Sequence, residues 1–253
     1  MTSLFDAFND SIGEEYAFLK YVVYAFPVYF CVKLYLSGNF VLFYLVSVPV
    51  FLLFLALLSN GVNNVRKNRK EILTFNFFKI IHILFIGFIA LAPTFLILFI
   101  IAYCLVSFVN LPFDISYLQL IFKCVVWLIV GSVALTAFLS FSKNMNIKSA
   151  YNFPIIFESC IDVLIDILFL IPQLVIMNGL IVGVVWYLFF YFKIPLTNPA
   201  FIFYCSVVFV FNISVLSGYF SQSAYEFIRG NDEEYRDNYY IKNSAAYKGS
   251  KKK

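Results

Sequence analysis

The residues best suited to chemistry in this sequence are three acids in an apolar segment, NFPIIFESCIDVLIDILFLIPQ at 152–173. Glu158, Asp162 and Asp166 recur every four residues, so a helix would carry them along one side. Two basic residues, Lys79 and His82, occupy the corresponding part of an earlier apolar segment. Because charges in apolar surroundings are costly unless they are paired or wetted, these residues form one candidate polar cluster. Three interpretations stay open: a structural ion-pair cluster, a solvated helix entrance, and a site that handles protons or ions.

The elements that carry these residues are strongly apolar. Of all residues, 62% are hydrophobic and 13% charged, against about 45–50% and 25% in globular proteins. About 20 apolar residues in a helix span the ~30 Å hydrocarbon core of a membrane. The sequence therefore predicts an all-α integral membrane protein, with the polar cluster inside or beside the membrane. Its six predicted transmembrane helices cover roughly 16–36, 40–58, 77–109, 117–141, 154–192 and 200–228.

The basic residues predict how the helices are oriented. The loops over 59–71 and 142–149 and the tail over 230–253 are rich in lysine and arginine, whereas the opposite loops hold Lys193 alone. An excess of these residues marks the cytoplasmic side, so we expect both termini to be cytoplasmic, in a prokaryotic plasma membrane. The tail is polar and basic, and we expect it to be disordered and attracted to anionic lipids.

The helices are arranged in the sequence as three similar hairpins, over about 14–59, 72–142 and 150–223, within a single transmembrane domain over 1–229. The first helix of each hairpin carries a proline after an apolar approach: Pro27, Pro93 and Pro172. Proline removes a helical hydrogen bond and allows a bend. The sequence therefore predicts a repeated hairpin whose odd helices are kinked at proline.

Small residues at helical spacing recur in the second helices of the last two hairpins. Ser132 and Thr136 are four residues apart, as are Ser214 and Gly218. Small residues let neighbouring helices approach closely, and hydroxyl groups can bond across the contact. We expect these positions to serve helix packing, with a substrate path as the alternative.

In its length, its basic inner loops and its proline-containing hairpins, the chain resembles a group of uncharacterised six-helix prokaryotic integral membrane proteins. These are similar to the membrane domain that accompanies some glycerophosphodiester phosphodiesterases. The resemblance covers most of the apolar part of the chain and implies a six-helix membrane fold. It implies no activity, because it rests on the pattern of helices and not on a catalytic motif.

Signatures of soluble enzyme chemistry are missing from the sequence. It has no GxSxG, no HExxH and no phosphate-binding glycine loop. One histidine and five cysteines without a CxxC leave little for a metal site. We therefore expect no enzyme, no catalytic residue, no metal, no cofactor and no nucleic-acid partner.

Two functions remain open on the sequence. Repeats, proline-broken helices and nearby polar groups are features of transporters, which favours a transport-related protein, such as a permease-like subunit with a membrane-protein or ATPase partner. The extreme apolarity and the positive inner surface favour the alternative, a non-catalytic scaffold or assembly factor that organises partner proteins or lipids.

Overall fold

The structure is a computed structural model, and it describes residues 3–66, 72–108 and 116–228. The tail predicted over 230–253 lies outside the described residues, as do part of the basic loop and most of the turn between the third and fourth predicted helices.

The described residues form α-helices and no strands. Six of these helices are long and apolar enough to cross a membrane, so the prediction of an integral membrane protein with six such helices is confirmed. The helices are α1 (Leu4–Ile12), α2 (Ala17–Leu36), α3 (Phe40–Arg66), α4 (Phe77–Phe108), α5 (Ser116–Asn144), α6 (Ile147–Ala150), α7 (Phe153–Tyr191) and α8 (Pro199–Phe227).

Two helix boundaries differ from the prediction. The short helix α1 was not foreseen; the side chain of Ser3 caps it by accepting a hydrogen bond from the Asp6 N–H at 3.2 Å. The loop predicted from residue 59 is wrong over its first half, because α3 continues through Arg66. The polar residues there are held in the helix by α5: Ser59 bonds Ser142 at 2.9 Å.

The six long helices pack in a closed cycle. Helices α3, α5 and α8 contact one another at the centre, and each remaining long helix packs against two of them. Helix α2 packs against α3 and α8, α4 against α3 and α5, and α7 against α5 and α8. Half of the most apolar stretch of α5 and 39% of that of α8 are buried, against 17–28% of those of α2, α3, α4 and α7. The outer helices therefore present most of their apolar side chains outward.

The predicted kink positions all lie inside continuous helices. Pro27 is in α2, Pro93 in α4 and Pro172 in α7, and α3 also contains Pro49. A proline at 93 leaves the carbonyl of Ile89 without its helical donor. The hydroxyl of Tyr151 donates to that carbonyl at 3.2 Å. The bend at each proline stays a prediction.

The two ends of the bundle differ in polarity. Towards the turn between α2 and α3, an apolar groove of about 440 Å³ opens between α2, α3 and α8, beside Tyr35 and Phe209. Buried polar side chains gather at the opposite end, which holds α1, the last turns of α3 and α5 and the start of α7: Glu14, Lys20, Ser59, Asn60, Asn63, Asn64, Ser142, Lys143 and Ser159.

Candidate functional site

Polar contacts join α7 and α8 along most of their shared length. We call this row the α7–α8 seam. From Ser159 to Ile181, the outermost contacts on α7, the seam is about 33 Å long at 1.5 Å per residue, close to the ~30 Å of a hydrocarbon core. Its side chains are Ser159, Asp166 and Asn178 on α7 and Tyr204, Asn212, Tyr219 and Ser223 on α8.

Asp166 is the charged residue of the seam and is 8% exposed. One carboxylate oxygen accepts a hydrogen bond from the Tyr219 hydroxyl at 2.8 Å, and the other accepts one from the Ser223 hydroxyl. Both hydroxyls lie on the same side of α8 because they are four residues apart. The result is a buried carboxylate held by two side chains of the neighbouring helix.

A pair of amides lies farther along the seam. Asn212 donates to the side-chain oxygen of Asn178 at 2.7 Å, and Asn178 donates back to Asn212 at 3.1 Å. Each amide also donates to a carbonyl one turn earlier in its own helix, that of Leu174 or Val208. This reciprocal pairing uses both donors of each side chain and is neutral, so it joins the helices without burying a charge.

At each end of the seam, a hydroxyl donates a hydrogen bond to a backbone carbonyl of the neighbouring helix. The Tyr204 hydroxyl donates to the carbonyl of Ile181 at 2.8 Å, and the Ser159 hydroxyl donates to that of Phe227 at 2.9 Å. The last carbonyls of a helix have no partner within it. Ser159 therefore caps the end of α8 from α7.

Apolar side chains separate the carboxylate from the amides. Leu170 and Val215 are buried between the two helices, and Leu174 packs against the same cluster. Pro172 lies in this stretch of α7, where it removes one helical hydrogen bond. The seam thus consists of two polar parts with an apolar block between them.

The carboxylate end of the seam is suited to holding a proton or a small cation. A carboxylate accepts hydrogen bonds only, whereas each hydroxyl can both donate and accept. Rotation of the Tyr219 or Ser223 hydroxyl would redirect its proton, so that the hydroxyl could accept a proton from one side and donate one to the other. The two carboxylate oxygens and the two hydroxyl oxygens are also of the ligand type that hard cations prefer.

The structure separates the other members of the predicted polar cluster from Asp166. Glu158 and Asp162 are exposed on α7, and His82 is exposed on α4. The Lys79 ammonium donates to the side-chain oxygen of Asn64 on α3 at 3.3 Å. The physical reason is that α4 turns Lys79 towards α3, whereas α7 turns Asp166 towards α8.

The small residues predicted for packing lie in buried positions. The hydroxyls of Ser132 and Thr136 donate to carbonyls of their own helix, of Ile129 and Ser132 respectively. Ser214 accepts a long hydrogen bond, 3.4 Å, from the Tyr21 hydroxyl. Gly218 lies under α1, where an added Cβ would be 3.1 Å from the Cβ of Ala7.

Sequence reasoning missed a very close contact between two helices. A Cβ added at Gly61 on α3 would lie 2.5 Å from the Oγ and 2.6 Å from the Cβ of Ser217 on α8. Only glycine fits at such a distance. Half of the signal was available, since Ser217 directly precedes Gly218, which is predicted to serve helix packing. The other half was not, because the sequence predicts a loop at Gly61.

Sequence reasoning also missed a buried ion pair beside α1. The ammonium of Lys20 lies 2.7 Å from Glu14, and the same carboxylate oxygen accepts the Leu73 N–H at 2.7 Å. Burial raises the pKa of the Glu14 carboxyl, although the Lys20 and Leu73 contacts act to lower it. The six-residue separation of this pair in the sequence was a weak signal, because it crosses the break between α1 and α2.

Comparisons with protein families, curated proteins and solved structures found no match for this chain. In the ranges that the structure describes, no group of three histidine, cysteine or acidic side chains is placed to hold a metal ion.

Proposed function

We propose that this chain is a transport-related membrane protein, a permease-like subunit in which the α7–α8 seam carries protons or a small cation. The observation that supports this most is the buried Asp166 carboxylate, 8% exposed and bonded to two hydroxyls. An ionisable side chain in a transmembrane helix is costly and is a functional candidate by default. A role in helix packing needs no charge, because Asn178 and Asn212 join the same helices as neutral amides.

In this proposal, a proton or cation moves along the α7–α8 seam, and the apolar block between the two polar parts closes that path. Leu170 and Val215 prevent an ion at Asp166 from reaching the amides. Transporters place broken helices beside such sites and move one part against the other. Pro172 lacks one helical hydrogen bond and is the weakest point of α7 in this block. A bend there would move Leu170 and Leu174 away from Val215.

The finer features of the architecture belong to the same proposal. The cyclic packing of three inner and three outer helices is what three repeated hairpins would produce. With both termini cytoplasmic, Asp166 lies nearer the cytoplasmic end of the seam. The chain would reside in a prokaryotic plasma membrane, with anionic lipids at its basic face and a membrane protein or an ATPase as its partner.

The test is ion flux in sealed vesicles that contain the purified protein. A pH-sensitive dye inside the vesicles reports proton entry when a potassium gradient and valinomycin impose a membrane potential, and dyes for sodium and potassium extend the test to those cations. We expect flux above that of empty vesicles, and its loss in Asp166→Asn. The matched control is Asp162→Asn, which removes the same charge from an exposed position one turn away and should keep the flux.

Equal flux in wild type and Asp166→Asn, with both proteins correctly folded, would contradict the proposal. Flux no greater than that of empty vesicles for all three cations would contradict it too. In either case the seam serves to hold α7 against α8, and the scaffold function becomes the better account.

A further inference from the structure

The two sides of the α7–α8 seam are flanked by very different helices. Tyr219 of α8 faces α7, and the residues before and after it are turned by about 100° in opposite directions. Gly218 lies under Ala7 of α1, whereas Phe220 packs against the cluster that contains Phe138 of α5. Helix α5 is long enough to span the membrane, but α1 has nine residues. Of the two flanking helices, α1 is therefore the one that can leave without dismantling the bundle.

Helix α1 is part of the apolar block that separates the two polar parts of the seam. Its residue Ala7 forms one buried cluster with three residues of α7 and α8: Leu170, Val215 and Tyr219. Leu4 and Phe8 pack against the same cluster, and they share one face of α1 with Ala7 because they lie three residues before it and one after it. This face of α1 thus meets the residues that close the path, together with the tyrosine that bonds Asp166.

Helix α1 is attached near its two ends and is helical because it is docked. At its start, the Ser3 N–H donates to the side-chain oxygen of Gln222 on α8 at 2.7 Å. In its last turn, the carbonyl of Ser11 accepts a hydrogen bond from the Tyr21 hydroxyl of α2 at 2.6 Å. Isolated helices shorter than about 12–15 residues are marginal in water. A short peripheral element of this kind opens locally at a lower free energy than the core of a bundle does.

We propose that α1 regulates the α7–α8 seam: the docked helix holds the apolar block closed, and its release lets the block open and Asp166 exchange its proton. Without α1, Leu170 and Val215 lose their apolar cover on one side, so that a bend of α7 at Pro172 costs less. The ring of Tyr219 loses the same cover. The effect on proton flux rests on the proposed function, whereas the effect on the accessibility of Asp166 follows from the packing of α1 alone.

The first experiment measures how readily Asp166 reacts with dicyclohexylcarbodiimide, an apolar reagent that adds to protonated carboxyl groups. Peptide mass spectrometry gives the labelled fraction of Asp166 in vesicles, with the exposed Asp162 of the same helix as the internal reference. Phe8→Ala loosens α1, because the ring of Phe8 meets that of Phe211 on α8 edge to face, with 5.5 Å between the ring centroids. Phe5→Ala is the matched control: it is the same change on the same helix, but the ring of Phe5 is 72% exposed.

We expect Phe8→Ala to raise the labelled fraction of Asp166 several-fold over that of the wild type. Phe5→Ala should leave this fraction unchanged, and Asp162 should be labelled equally in all three proteins. Equal labelling of Asp166 in Phe8→Ala and Phe5→Ala would overturn the proposal. Leu4→Ala is a second variant that loosens α1, and it decides the question if Phe8→Ala elutes as an aggregate in size-exclusion chromatography.

The second experiment fixes α1 on the bundle. In a variant whose five cysteines are replaced by alanine, Ser3→Cys and Gln222→Cys are joined by a short bismaleimide, since the two residues are neighbours and only partly buried. We expect the linked protein to lose most of the proton flux that it has before linking. Ser3→Cys alone, treated with the same reagent, should keep its flux.

Proton flux that linking leaves unchanged would overturn the regulation of the seam by α1. Flux that is absent from the wild type as well would contradict the proposed transport function instead. The labelling of Asp166 then decides by itself whether α1 controls access to this carboxyl.

Discussion

At the scale of single residues, burial separates acids that look alike in the sequence. Glu158, Asp162 and Asp166 share one spacing, yet only Asp166 is buried. The difference comes from α8, which offers the hydroxyls of Tyr219 and Ser223 at the level of Asp166. A buried carboxylate needs such donors, because the cost of removing it from water is otherwise not offset. Spacing alone cannot reveal which acid has them.

Glu14 and Lys20 allow a prediction at this scale. Both are buried, at 5% and 3% exposure, so removing one takes from the other a buried opposite charge at 2.7 Å. We expect Glu14→Gln and Lys20→Met each to lower the free energy of unfolding by about 3–5 kcal/mol. The double variant should lose less than the sum of the two. Thermal unfolding in detergent measures all three, and Glu15→Gln, an exposed neighbour, should have little effect. Additive losses would mean that the two residues are not coupled.

The same pair gives a prediction for pH. Burial raises the pKa of Glu14 above its ordinary value of 4.5, so the folded protein binds this proton more tightly than the unfolded chain does. The contribution of Glu14 to stability is then full below 4.5 and declines as the pH rises through the raised pKa. Melting temperatures of wild type minus those of Glu14→Gln should fall across this interval. A difference that rises with pH there would show that the Lys20 contact outweighs burial.

At the scale of elements, α8 organises the bundle because each of its sides meets a different helix. Ser214 faces α2, Ser217 faces α3, Gly218 faces α1 and Tyr219 faces α7. Small residues on three of these sides let the neighbours approach closely. The large residue, Tyr219, is on the side of the seam, where its hydroxyl has the carboxylate to bond. The composition of one helix thus determines the positions of four others.

The contact between α3 and α8 gives the second structural prediction. Gly61→Ala places a methyl group against Ser217, and overpacking of this kind costs about 1–3 kcal/mol. Adding Ser217→Gly should recover part of the loss by restoring space. Gly131→Ala and Gly179→Ala are matched controls, because an added Cβ meets nothing within 4 Å there; both should change stability by at most about 1 kcal/mol. If Gly61→Ala melts at the wild-type temperature, the helices are not held this closely.

At the scale of the whole molecule, the two ends of the bundle differ in polarity. Polar side chains and α1 gather at one end, and an apolar groove opens at the other. Of the described lysines, Lys20, Lys79, Lys143 and Lys148 belong to the polar end, and Lys33, Lys123 and Lys193 lie towards the other end; this excess is in the direction of the expected cytoplasmic orientation. A bundle with one polar end and one apolar end has a defined direction in the membrane, and a direction is what a transport cycle requires.

The orientation itself is the prediction at this scale. In a variant without its native cysteines, single cysteines at Asn9 and Asn146 should react with a membrane-impermeant maleimide only after the membrane is opened. Cysteines at Asn39 and Thr197 should react in intact cells. All four positions are exposed or partly so. Reaction of the Asn146 position in intact cells would contradict the orientation, and with it the cytoplasmic placement of α1.

The sequence by itself determined that the chain is a membrane protein, how many long helices it has and about where each one lies. These properties depend on hydrophobicity summed over neighbouring residues, and no other part of the chain is needed to read them. The same reasoning failed at residues 59–66 and at α1. There, the residues form helices because distant helices contact their side chains, as α5 contacts Ser59 and α8 contacts Ala7.

Only the tertiary structure decided which polar residues form the candidate site. Asp166 meets Tyr219 across 53 residues of chain, and Glu14 meets Leu73 across 59. No local pattern contains such a pairing, because it depends on how α7 and α8, or the turn after α1 and the segment before α4, are placed in the cycle of helices. The sequence predicts that charges near a membrane need partners, but the packing of the helices determines which residues those partners are.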